Sequence, residues 1–344
     1  MTDVAASPLR VGLIGLGRPG LYLMERFAAG GPFRVVAVWA DPIVAEVISP
    51  FGARLVNHPR ELLAAADVDV VWFAELDAFR NDFTAADTLC EKHAIVETPL
   101  TLSSAIADRA FREAARSNRL LLVHHPRRSD PDFQQALAVT QDFAPSVLRA
   151  VKFVSWSYGL PPRGATRGHG PLPPDATSDD AQITKVRFAA HALDQLLPLV
   201  SDRPIRVFAT GDQKFPGFPK LFAGYSLTLQ MTFEQGCQAD IDIRLDSPTK
   251  FQSGWLLATE RNGYAKGQRF TLTDDGEVFD SPVTATSDSN EDADHFEWLA
   301  QQIRSGVRDH VEEARVRTVV ALLDAAQRSL ESRQAIEMAS MPAS

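Results

Sequence analysis

Through the first 125 residues, short apolar runs alternate with amphipathic stretches of helical period. Val11-Gly12-Leu13-Ile14 reads as a strand, Leu21 to Ala29 as a helix and Phe33 to Trp39 as a second strand. A short helix over Ile43 to Ile48, a strand at Ala53 to Val56 and a helical Glu61 to Ala66 come next. Val68 to Ala74 is apolar almost without interruption, the pattern of a strand covered on both faces of a parallel sheet. Phe83 to Glu91 is predicted as helix and Ala94 to Val96 as strand, and Leu120 to Val123 closes the series as another strand. Between these two strands, Ser103 and Ser104 stand where an N-cap opens the helix Ala105 to Ser117. Strands alternating with helices predict an α/β Rossmann domain, a doubly wound parallel sheet with right-handed crossovers, over residues 1–125.

The pattern changes in residues 126–344, which are expected to form a second, α+β domain. Leu148 to Trp156, Ile205 to Thr210, Tyr225 to Phe233, Cys237 to Leu245, Gly254 to Glu260 and Phe270 to Thr273 read as strands. In two of them apolar and polar residues alternate strictly: Leu227, Leu229, Met231 and Phe233, then Cys237, Ala239, Ile241 and Ile243. Such alternation marks an open, mainly antiparallel sheet with one buried face. One helix, Thr184 to Leu199, is predicted inside this half, and two more follow the sheet, on Phe296, Leu299 and Ile303 and on Val316, Val319, Leu323 and Leu330.

A length of 344 residues fits two domains better than one core. The net charge of -9 argues against general nucleic-acid binding. Only Cys90 and Cys237 occur, both in apolar-patterned segments, which points to buried thiols in a reducing compartment. With neither a signal-peptide pattern nor an apolar run of membrane length, the expectation is a soluble cytoplasmic protein with no membrane partner.

The chemistry begins at Gly15-Leu16-Gly17-Arg18-Pro19-Gly20, a G-x-G-x-x-G turn between strand and helix. The first glycine permits the turn, the second lets backbone approach a pyrophosphate, and the third lets helix pack on strand. The helix start offers unpaired N–H groups and partial positive charge to the anion. Asp41, about twenty residues after Gly20 and just past the second strand, is placed to bind the adenine ribose and favours NAD over NADP. Ala74 and Glu97 also fall at strand ends on the ligand side. His124 and His125 close the last strand; adjacent strand residues face opposite ways, so one core-facing and one cleft-facing histidine, and no metal, are expected. Trp39 and Trp72 read as sheet core. The Gly- and Pro-rich stretch Gly159 to Pro174, with Arg163, Arg167 and His169, reads as either a lid or a surface loop.

On these motifs, and on the block Val68 to Pro99 with Val68, Asp69, Ala74, Lys92, His93, Glu97 and Pro99 in place, the chain resembles the Gfo/Idh/MocA family. The resemblance implies a Rossmann domain joined to an open antiparallel-sheet domain, a dinucleotide cofactor and dimers or tetramers built through the C-terminal sheet. It also exposes departures. The family's E-K-P lysine is here Thr98 of Glu97-Thr98-Pro99. Its D-x-x-x-H becomes Arg187 to His191, keeping the histidine and losing the acid. Its T-P-N-x-x-H becomes Glu75-Leu76-Asp77-Ala78-Phe79-Arg80, which puts Glu75 and Asp77 on a rim that in the family faces the dinucleotide.

The resemblance therefore implies His191, Arg187 and Thr98 as the catalytic set. Gly15, Leu16, Gly17, Arg18, Gly20, Asp41, Ala74, Glu75, Asp77, Glu97 and Thr98 form the cofactor-binding set. One helical turn separates Arg187 from His191, and a guanidinium there favours a neutral imidazole: two unit charges 4 Å apart repel by roughly 4 kcal/mol at an effective dielectric of 20. Arg187, or Lys185, could replace the missing lysine's charge, or these cations with Arg163, Arg167 and His169 could recognise an anionic small-molecule substrate such as a sugar acid. Two functions follow. One is an NAD(H)-dependent oxidoreductase acting on a sugar-like, polyol or sugar-acid group. The other is a non-catalytic relative that binds dinucleotide or a sugar-like ligand as a sensor. Carboxylates facing the phosphates would instead disfavour dinucleotide altogether.

Overall fold

The computed structural model describes residues 7–40, 45–75, 91–141, 143, 148–155, 178–211, 226–245, 254–283 and 291–338. Asp41, Asp77, Cys90, Arg163, Arg167, His169 and most of the predicted helix Phe83 to Glu91 lie outside the described residues. The chain forms two units: among the described residues, 7–126 with 291–320, and 127–283 with 321–338.

The first unit is built on β1 (Leu9–Ile14), β2 (Phe33–Trp39), β3 (Arg54–Leu55), β4 (Val70–Phe73), β5 (His93–Glu97) and β6 (Leu121–His124). Their order is β3-β2-β1-β4-β5-β6, with all neighbours parallel. The order reverses between β1 and β4, the place where open α/β sheets bind ligands. The connecting helices are α1 (Arg18–Ala28), the short α2 (Ala45–Ile48) and α3 (Arg60–Ala64), and α4 (Ser104–Arg116). Every residue of β4 and β6 is buried, as their unbroken apolar runs require in a sheet covered on both faces. Ion pairing locks β1 to the start of β4: Arg10 donates to Asp69 through Nε (3.0 Å) and Nη2 (2.7 Å), and its own amide donates to Asp69 Oδ2 (2.8 Å). The guanidinium holds the Asp69 carboxyl below its ordinary range.

The helix α7 (Glu291–Ser305) belongs to this unit although it lies far along the chain. Phe296, Leu299, Ala300 and Ile303 join Phe27, Phe33 and Trp72 in one buried cluster. The Phe296 ring lies 5.0 Å from Phe27 and 6.0 Å from Trp72 between centroids. Val316 and Val320 of α8 (His310–Ser332) enter a second cluster of the same unit, with Phe73, Val96 and Phe111.

The second unit carries a nine-stranded sheet. Its strands are β7 (Arg149–Ser155), β8 (Pro204–Gly211), β9 (Ser226–Phe233), β10 (Gln238–Arg244), β11 (Gly254–Ala258), β12 (Asn262–Ala265), β13 (Gln268–Leu272), β14 (Val278–Pro282) and β15 (Ile336–Glu337). Their order is β14-β13-β12-β11-β7-β10-β9-β8-β15, and every pairing is antiparallel except β7 with β10. The alternation read in β9 and β10 is realised: Leu227, Leu229, Met231, Phe233, Ala239, Ile241 and Ile243 are all buried. Two helices pack with this sheet, α5 (Pro131–Thr140) and α6 (Ser178–Val200). Sequence reading missed α5, which buries Phe133, Ala136 and Val139.

Candidate functional site

The turn from β1 into α1 is built as its glycines demand. Gly15 has φ +89°, a left-handed conformation that side chains other than glycine's rarely adopt. A Cβ on Gly20 would stand 2.4 Å from the Gly15 carbonyl oxygen, which fixes glycine where α1 meets the strand end. Gly17 is the N-cap and brings no side chain to satisfy the first turn. The turn has the shape that cradles an anion, because Gly15 and Gly17 bring no Cβ to cover the backbone at the helix start.

The structure seats a protein group in that cradle. Glu75, just past β4 and opposite β1 in the sheet, accepts the Gly17 N–H at Oε1 over 2.6 Å. A Cβ on Gly15 would meet Glu75 Cδ at 2.7 Å and Cγ at 2.8 Å, and one on Gly17 would meet Oε1 at 3.0 Å. Read from sequence as a cofactor contact, Glu75 instead lies where an anion would bind. The physical reason is the helix start, which attracts a carboxylate as it attracts a phosphate. Ala74, fully buried, donates its amide to Ile14 O over 2.9 Å and holds β4 to the end of β1. Leu16 is half-buried and Arg18 exposed on the same turn.

At the end of β5, Glu97 does not face open space. Its side chain is 9% exposed, accepts the Trp72 indole N–H (3.1 Å) and pairs with His124 Nδ1 (2.8 Å). Glu97 and His124 are register partners on β5 and β6, so their side chains share a face. His124 stacks on Phe296 and His295, and the His125 amide donates to His295 Nε2 over 3.1 Å. His124 is the core-facing histidine, packed beneath residues returning on α7, and the His125 ring is buried as well. Trp72 is fully buried, as read, and Trp39 packs against the core. Thr98 is 2% exposed, its peptide to Pro99 is cis, and its Oγ1 has no hydrogen-bond partner among the described residues. A buried hydroxyl of that kind is available to a ligand.

The second unit presents α6. Lys185, fully buried, and His191, 3% exposed, lie on this helix with Arg187 half-buried between them. Sequence reading missed their neighbour Asp194, which takes Arg128 bidentately through Nε (2.8 Å) and Nη2 (2.6 Å). Gln195 accepts the Trp255 indole N–H over 3.0 Å and donates to the Arg127 carbonyl. Lys152 completes the cluster, 3.5 Å from Asp132 and 4.9 Å from the centre of the Trp255 ring, with burial pushing its ammonium below the ordinary lysine value. The available signal was spacing: Asp194 stands three residues after His191 and Gln195 four, so both lie on its side of the helix. Among the described residues, no group of three or more His, Cys, Asp or Glu side chains could hold a metal ion, and no helix is long and apolar enough to cross a membrane.

Comparison with known proteins follows this division. Residues 9–125 match the family described as "Oxidoreductase family, NAD-binding Rossmann fold". Inositol 2-dehydrogenase of Mycolicibacterium smegmatis is 33% identical over 135 residues, 38% of this chain and 39% of that protein, so the match spans about two fifths of the relative. Aldose-aldose oxidoreductase of Caulobacter crescentus, solved with glycerol, shares the fold at a TM-score of 0.70 and 16% identity, covering 96% of this chain and all of that one (100%). An oxidoreductase of Agrobacterium radiobacter, solved with NAD+, L-tartaric acid and magnesium, has a TM-score of 0.70 at 14% identity over 96% of this chain and 99% of its own. Both structures reproduce the parallel-sheet domain followed by the mainly antiparallel one. Residues 9–125 thus match the Gfo/Idh/MocA oxidoreductase family in its NAD-binding Rossmann domain.

Proposed function

We propose that the protein is an NAD(H)-dependent oxidoreductase acting on a hydroxyl or carbonyl of a sugar-like compound, polyol or sugar acid. The observation that carries this reading is the Gly15–Gly20 turn at the β1–β4 switch point, where a Cβ on Gly20 would clash and the bare backbone of Gly15 and Gly17 takes an anionic group, here the Glu75 carboxylate. The dinucleotide, when bound, supplies the hydride acceptor or donor. Gly15, Gly17 and Gly20 bind its pyrophosphate, and Thr98 offers a hydroxyl to the bound ligands. Asp41 follows β2 and favours NAD over NADP, because a 2′-phosphate would meet a carboxylate. His191 accepts the substrate hydroxyl proton during oxidation and returns it during reduction, a role worth roughly 10²–10⁴ in rate. Arg187 supplies the positive charge that Thr98 lacks and selects anionic substrates. The proposal extends to a cytoplasmic homo-oligomer assembled through the nine-stranded sheet.

A tryptophan-fluorescence titration with NADH, followed by NAD+ reduction assays over a panel of sugars, polyols and sugar acids, tests this reading. Saturable binding with turnover is expected, and Arg187→Ala should lose acidic substrates selectively. No saturable change up to millimolar NADH would sink it. The absence of a cation at Thr98 supports a second, non-catalytic reading. That reading gains if the wild type binds NADH yet stays inert while a Thr98→Lys, Arg187→Asp double variant turns over.

A further inference from the structure

We propose that Glu75 is a built-in competitor for the dinucleotide: its carboxylate occupies the pyrophosphate position on the glycine turn, and the cofactor binds only by displacing it. The inference rests on the NAD(H) reading above and concerns the affinity of that same site. Three observations carry it. Glu75 Oε1 takes the Gly17 N–H at 2.6 Å, a donor that a pyrophosphate would otherwise receive. The carboxylate lies over the bare Cα positions of Gly15 and Gly17, with Cδ 2.7 Å and Oε1 3.0 Å from where their Cβ atoms would stand, so a phosphate seated there would overlap it. Pro19 brings no N–H to the first turn of α1, so the turn offers one donor fewer and Glu75 takes one of those that remain.

The arrangement stabilises the ligand-free turn, because a helix start without a side-chain cap gains a charge-assisted acceptor. The same bond weakens nucleotide binding by whatever it contributes to the free protein. Hydrogen bonds to charged groups of this strength correspond to an affinity change of about ten- to a hundredfold. Glu75 is thus an affinity-setting residue, and a nucleotide-bound chain must carry it in another rotamer.

Calorimetric titration of the full-length protein with NADH, on wild type, Glu75→Ala and Glu75→Gln, decides the matter together with melting of the nucleotide-free proteins. Glu75→Ala should bind NADH about ten- to a hundredfold tighter than wild type. It should also melt lower when free, and inorganic pyrophosphate should raise its melting temperature more than it raises the wild type's. Glu75→Gln keeps the shape and one neutral acceptor, so it should fall between the two and serves if the alanine variant is poorly folded. Equal affinities in all three proteins would overturn the competitor role and leave the NAD(H) reading standing. Weaker binding by the variants would make Glu75 a cofactor ligand and also overturn it. No binding by any of the three would remove both.

Discussion

His93 shows how one side chain carries a pH dependence. Its Nδ1 accepts the Leu120 N–H over 3.1 Å, which requires an unprotonated nitrogen. Burial, followed by the nearby Arg119 cation, holds its pKa below the ordinary 6.5. In the window between that lowered value and 6.5 the unfolded chain binds more protons than the folded one. Stability contributed by this group is therefore fully present above about pH 6.5 and falls as the pH drops through the window. Urea unfolding at pH 7.5 and pH 5.5 should show a smaller loss on acidification in His93→Asn than in the wild type, since the asparagine carbonyl can take the same amide without titrating. An equal loss in both proteins would remove His93 as its source. The same scale explains what sequence could and could not supply. Gly15 and Gly20 were legible because their conformation and clearance are backbone properties. The Glu75–Gly17 bond was visible only as a repulsion between like charges, since its geometry depends on β1 and β4 lying side by side.

Among elements, the β1–α1 turn is where a small change has the largest local effect. Gly20→Ala would drive a methyl to 2.4 Å from the Gly15 carbonyl, and neither atom belongs to a flexible side chain. The helix must then shift on the sheet, so the variant should lose about 1–3 kcal/mol of stability by denaturant titration, together with NADH binding. A variant as stable as the wild type would mean that α1 docks more loosely than the distances show. Element by element, legibility follows burial. The strands of the parallel sheet announced themselves as apolar runs, and β9 and β10 as alternation, because each must hide one or both faces. The strand β14 exposes all five of its residues, Val278 and Phe279 among them, and so carries no periodic signal. β12 and β15, at four and two residues, are too short to show one. Glu97, Trp72 and His124 come from three neighbouring strands, and their network follows only from strand order.

At the scale of the whole molecule, the chain order does not match the division into units. Phe296, near the end of the sequence, fills a pocket made by Phe27, Trp72 and His124, with the Arg26 guanidinium 5.9 Å from its ring centre. Phe296→Ala should cost about 3–5 kcal/mol, read from the urea midpoint of the unfolding transition that exposes Trp72. A cost below 1 kcal/mol would mean that the parallel-sheet unit closes without α7. Periodicity placed α7 correctly as a helix but gave no address for its apolar stripe, since an amphipathic face records only that something must cover it.

That late-arriving helix also imposes an order on synthesis. The aromatic hollow around Trp72 stays open to water while the ribosome translates the intervening sheet, and it shuts only after Ile303 has emerged. A chain interrupted before that point would display a sticky, half-roofed nucleotide fold, which makes the stretch of translation between the two halves the interval when a chaperone has most to protect.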